Sequence, residues 1–72
     1  MGTLPAMTTW EVEMVLQRAG FVFDRQASHR IWIKEGRTVP VPAHRGTLKI
    51  GTLRSIIKLA GLTVDEFLSY RR

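Results

Sequence analysis

Apolar positions recur along the chain with two different periods, and the changes of period mark out the elements. Val12, Val15, Leu16 and Ala19 fall at i, i+3, i+4 and i+7, one stripe of a helix. Thr8-x-x-Glu11 precedes them as a capping box, in which a hydroxyl and a carboxylate each satisfy an orphan N–H of the first turn. Met7 and Val12 stand where a hydrophobic staple would, and Gly20 is placed to end the helix at a positive φ. The pattern predicts a helix from Thr9 to Ala19. Phe21 to Gln26, rich in aromatic and β-branched residues, reads as a strand. From His29 to Lys34 the chain alternates, with His29, Ile31 and Ile33 on one face and Arg30, Trp32 and Lys34 on the other. The isoleucine face, and His29 with it, is expected beside the helices.

Glu35-Gly36 fits a tight turn, and Thr38 to Val41 a third strand that Pro40 and Pro42 confine to an edge or end early. After a loop over 43–50, Leu53, Ile56, Ile57 and Ala60 repeat the helical stripe and Gly61 closes it. Thr63-x-x-Glu66 is a second capping box, with Leu62 and Phe67 as its staple, opening a short helix that reaches about Tyr70. The expected fold is α+β, ordered α-β-β-β-α with a short C-terminal helix. A three-stranded antiparallel sheet carries the helices on one face and leaves the other open. This order resembles the double-stranded-RNA-binding domain. One domain over residues 8–70 is expected, with residues 1–7, containing Gly2 and Pro5, as a flexible tail.

A chain of 72 residues buries only about 60% of its unfolded surface, so a site belongs on an exposed face or in a shallow groove. The absence of cysteine excludes disulfides and thiolate metal sites. No apolar run is long enough to cross a bilayer, and the first residues lack the pattern of a signal peptide, so a cytoplasmic location is expected. The net charge is +5 and unevenly spread: from Arg25 to Lys58 there are eight basic residues and one acidic residue, Glu35. Such a band is either an electrostatic footprint for a polyanion or a solvated basic surface.

Gly20-Phe21, Arg25-Gln26, Ser28-His29-Arg30 and Val41-Pro42-Ala43-His44 resemble the HicA family of toxins. So do the run from Gly51 to Leu62 and the closing Glu66-Phe67-Leu68. The motifs span about Met7 to Leu68, in the family's order and at nearly its spacing. The resemblance implies an mRNA interferase of a type II toxin–antitoxin system, neutralised by a HicB antitoxin, with a dsRBD-like fold and a catalytic histidine that matches His29. The sequence departs from the family at Gln26-Ala27-Ser28-His29, where Gly-Ser-His in a longer turn is usual. Ala27 resists positive φ, so this turn has to be built differently.

RNA cleavage suits a small site. The ribose 2′-OH can attack its own phosphate, so the protein supplies a group that moves a proton near pH 7 and positive charge for the phosphorane. His29 is the candidate for the first, with no metal or cofactor. Ser28 is a turn residue or phosphate hydrogen-bonder rather than a nucleophile, because neighbours along a strand point to opposite faces. His44, the other histidine, is a possible accessory group but more simply a loop anchor. Lys49, Gly51, Thr52 and Arg54 surround the start of the second long helix, where free N–H groups suit a phosphate; the simpler reading is a helix capped by Thr52. The Arg30-Trp32-Lys34 row could hold RNA or serve as the antitoxin's docking surface. Trp10 has no role in this reading. A non-catalytic RNA-binding module and a purely structural partner of a larger complex are the alternatives.

Overall fold

The structure, a computed structural model, describes residues 3–71. Its elements are α1 (Thr9–Arg18), β1 (Val22–Gln26), β2 (Arg30–Lys34), β3 (Arg37–Val41), α2 (Ile50–Leu59) and α3 (Val64–Ser69), with the strands in the antiparallel order β1-β2-β3. The expected α+β fold, helix, three antiparallel strands, helix and short last helix, is the one observed.

Local chemistry sets the boundaries. Thr8 and Thr63 each cap their helix through a complete capping box, closed by Glu11 and Glu66. Ala19 and Ala60 end α1 and α2. The following Gly20 (φ 101°) and Gly61 (φ 74°) enter the left-handed region, so the amides of Phe21 and Leu62 reach back to the carbonyls of Leu16 and Ile57. These are Schellman closures, which satisfy carbonyls the helix leaves orphaned. Glu35 and Gly36 link β2 to β3 in two residues, both at positive φ, as a hairpin turn of the primed type requires. Asp24 is the extra residue of a β-bulge between Phe23 and Arg25. That bulge bends the exposed edge strand, and Asp24 pairs with Arg25 beside it.

The core lies between the sheet and the helices. Val12, Val15 and Leu16 of α1 and Leu53, Ile56 and Ile57 of α2 meet Trp32, Val39 and Val41 of the sheet, and Phe67 closes one side. Residues 4–7 do not behave as the expected tail. Leu4 and Met7 are buried in this core, Thr8 forms a β-bridge with Thr47, and the Leu48 amide donates to the Met7 carbonyl at 2.8 Å.

The sheet is turned over relative to the expectation. Trp32 faces the helices, and its register partners Phe23 and Val39 share that face. Ile31 and Ile33 lie on the other side, with Arg25, Pro40, Val22 and Thr38 as partners. Hydropathy favoured burying the isoleucines, but the basic-aromatic row finds polar partners on the helix side. Glu13 of α1 accepts from Trp32 Nε1 at 2.7 Å and from Arg30 Nε, and Lys34 Nζ donates to the Ala19 carbonyl at 2.6 Å.

Candidate functional site

In a three-stranded meander the end of β1, the start of β2 and the end of β3 share one edge of the sheet. Here Gln26 pairs with Arg30 and Arg30 with Val41. His29 sits in the turn just before Arg30, and Pro42-Ala43-His44 leads straight on from Val41. The register therefore carries His29 and the His44 loop to the same end. Both long helices also begin there, because Thr9 of α1 bonds this loop and Leu48, beside the α2 N-cap, bonds Met7.

Thr9 is the buried polar residue that fixes the loop. Its hydroxyl donates to the Pro42 carbonyl at 2.7 Å and accepts the His44 amide at 3.3 Å. The loop is thus held by its backbone, and the His44 side chain stays exposed. A groove of about 360 Å³ opens over this joint, lined by Thr8, Trp10, Glu13, Arg30, His44 and Arg45 among others. On the far side of His44 a second hollow is lined by Pro42, Leu48, Lys49 and Thr52.

The N-terminus of α2 borders that second hollow. Lys49 is the N-cap and makes no side-chain capping bond, and the first turn holds no acidic residue. Thr52 lies inside the helix, so it does not cap it as the simpler reading supposed. A Cβ at Gly51 would meet nothing within 4 Å, so the backbone here is bare. The first amides of α2, with exposed Lys49 and Arg54 beside them, face outward at the positive end of the helix dipole.

Not every residue singled out from the sequence joins this end. Lys34 lies at the opposite end of β2, where it donates to the carbonyl of Ala19, the C-cap of α1, and sits over the Phe21 ring at 5.8 Å. It cannot form a continuous surface with His29, and the proposed Arg30-Trp32-Lys34 row is not an open platform: Trp32 is buried. Arg30 does reach the groove, but its guanidinium is held by Glu13, by Gln26 at 3.0 Å and by the face of Phe23 at 4.4 Å. His29 is exposed in the turn rather than lodged beside the helices, since the face it would share with Ile31 is the outer one. Ser28 and His29 do approach, with Oγ 3.4 Å from Nδ1, because both lie in the turn and strand alternation does not apply. The turn closes without positive φ at Ala27, whose amide donates to the His29 carbonyl at 2.9 Å.

Four residues of the site went unread in the sequence: Thr9, Glu13, Trp10 and Arg45, the last counted only as one charge of the basic band. Thr9 and Glu13 look like ordinary first-turn and solvent-face helix residues. The one signal was the helical spacing that carries Trp10 and Glu13 on one side of α1, away from the apolar stripe. Among the described residues, no three His, Cys, Asp or Glu side chains gather as a metal site needs, and no helix is long and apolar enough to cross a membrane.

The α-β-β-β-α frame and its cationic end define a small domain suited to a polyanionic ligand. The model of the family described as HicA toxin of bacterial toxin–antitoxin systems matches residues 10–62, most of the chain, and the protein belongs to that family. Membership makes it the toxin half of a toxin–antitoxin pair, with an antitoxin as partner. No curated protein matches the chain.

Proposed function

We propose that this toxin is a metal-independent endoribonuclease that cuts mRNA, and so inhibits translation and growth, in the cytoplasm, and that a HicB-type antitoxin neutralises it. The observation that supports this reading most is the convergence at one sheet end of exposed His29 and His44, the uncapped start of α2, and the side chains of Arg30, Arg45 and Lys49. RNA carries its own nucleophile. His29 removes the proton from the 2′-OH, the 2′-oxygen bonds to phosphorus, and the P–O5′ bond breaks. The departing 5′-oxygen takes up a proton from His44 or water, leaving a 2′,3′-cyclic phosphate and a 5′-hydroxyl.

Lys49, Arg54 and the amides around Gly51 and Thr52 hold phosphate. Ser28 hydrogen-bonds phosphate beside His29, and Arg30 lines the path between them. One positioned proton-transfer group supplies roughly 10²–10⁴ in rate, so the activity is modest. The purified protein cuts RNA in EDTA and leaves DNA of the same sequence whole. Activity lost on chelation and restored by a divalent ion refutes the metal-free route.

One observation favours the rival reading, a non-catalytic RNA-binding module of dsRBD shape: the 3.4 Å approach of Ser28 is a long contact with which to orient the His29 ring. That reading keeps the salt-dependent RNA affinity and predicts no cleavage.

A further inference from the structure

We propose that Trp10 is a stacking platform for an unpaired nucleobase, so that the RNA this site takes is single-stranded. The inference rests on the ribonuclease reading and adds a substrate class and a binding residue to it.

Trp10 is 69% exposed, more than any other large apolar side chain of the chain's described residues. It stands in the first turn of α1, off the apolar stripe, and among those residues no aromatic ring or cation is stacked on its indole. Core packing therefore does not account for it. What surrounds it is specific. Trp10, Glu13 and Arg30 line both the groove that runs to His44 and Arg45 and a neighbouring one that runs down α1 to Gln17. Arg45 is exposed and makes no ion pair or hydrogen bond among the described residues. The groove so joins an open aromatic face to cationic side chains, the two features that hold a base and its phosphate in single-strand binding proteins.

The backbone that carries the platform is also held. Thr8 and Glu11 lock the turn that carries Trp10, and the neighbouring Thr9 is bonded across to Pro42 and His44. Little backbone freedom is lost when a base lands on it. A base in a duplex has both faces covered by its neighbours, so this ring selects against paired RNA. That separates the protein from the duplex-binding use of the fold it resembles.

The test uses 2′-O-methyl RNA, which lacks the nucleophile and stays intact with the wild-type protein. Fluorescence anisotropy gives the affinity for an unstructured single strand and for its duplex, with wild type, Trp10→Ala and Trp10→Phe. Cleavage of ordinary RNA is followed in parallel. Wild type binds the single strand more tightly than the duplex, Trp10→Ala weakens that binding by about tenfold or more, and Trp10→Phe keeps most of it. A 2-aminopurine placed in the strand is quenched by wild type and not by Trp10→Ala. Because the side chain is exposed, both variants keep the wild-type melting curve. Unchanged affinity in Trp10→Ala, or equal affinity for duplex, overturns the proposal while RNA cleavage stands, and leaves Trp10 as an anchor for the antitoxin. A wild-type protein that neither binds nor cuts RNA removes the ribonuclease reading itself.

Discussion

Glu13 joins the fold to the groove, and its removal is the sharpest test of that arrangement. Its carboxylate, with a side chain 13% exposed, accepts from Trp32 Nε1 at 2.7 Å and from Arg30 Nε. Glu13→Ala leaves the indole N–H of a residue that is 7% exposed with no acceptor. A buried donor left unpaired costs about 1–3 kcal/mol. The Arg30 share is smaller, about 1 kcal/mol or less, because a third of that side chain already meets water. The total is about 1–4 kcal/mol. At about 4–8 °C per kcal/mol for a domain of this size, the melting temperature drops by roughly 5–30 °C. Glu13→Gln keeps an acceptor for the indole and costs about 1 kcal/mol or less. Circular dichroism melts and urea titrations measure both variants. A cycle with Trp32→Phe, which removes the N–H but keeps a ring, isolates the pair at a coupling of about 1–2 kcal/mol. Equal losses for Glu13→Ala and Glu13→Gln, or no coupling with Trp32→Phe, refute the reasoning.

Two further outcomes follow from the helix ends. The Glu11 carboxyl is held below its ordinary pKa by the backbone N–H of Thr8, helped by the Thr8 hydroxyl and by Arg71, against a smaller opposing effect of burial. A depressed carboxylate pKa adds stability that is complete above the unfolded value and lost as pH falls through the folded one. The advantage of wild type over Glu11→Gln, about 0.5–1 kcal/mol at neutral pH, therefore fades in acid denaturation series; an advantage that persists at low pH contradicts the assignment. Gly61→Ala loses about 1–2 kcal/mol because φ is positive there. The contact of the new Cβ with the Arg37 guanidinium adds little, since that flexible end can swing away from the Leu59 carbonyl. A chemical-denaturation midpoint unchanged from wild type contradicts it.

Much of the fold was legible because its signals are local. Capping boxes at Thr8 and Thr63, glycines at 20 and 61 and two helical stripes each act within one or two turns, and all appear where the pattern puts them. The sheet's facing was not legible. Alternation separates Ile31 and Ile33 from Arg30, Trp32 and Lys34, but which set turns inward depends on partners far along the chain. Glu13 and the Ala19 carbonyl supply them, 15 to 19 residues away from Lys34, Arg30 and Trp32. For the same reason Lys34 read as a ligand contact when it is a cap on α1, and Leu4 and Met7 read as tail when the loop before α2 draws them into the core. That the segments of His29, His44 and the start of α2 share one end was not legible either, because the strand register that brings them there is a tertiary fact.

The central claim is that His29 moves a proton in RNA cleavage. The direct measurement compares wild type with His29→Ala for cleavage of a single-stranded RNA in EDTA, with melting temperature and antitoxin binding recorded on the same preparations. His29 is exposed, so the variant keeps its fold, with a loss of ~1 kcal/mol or less. It still binds a HicB-type partner, while its cleavage and its growth inhibition disappear; His29→Gln, which keeps a hydrogen bond but transfers no proton at neutral pH, behaves the same way. A folded His29→Ala protein that cuts RNA at near the wild-type rate contradicts the account and leaves His44 as the histidine that carries the chemistry.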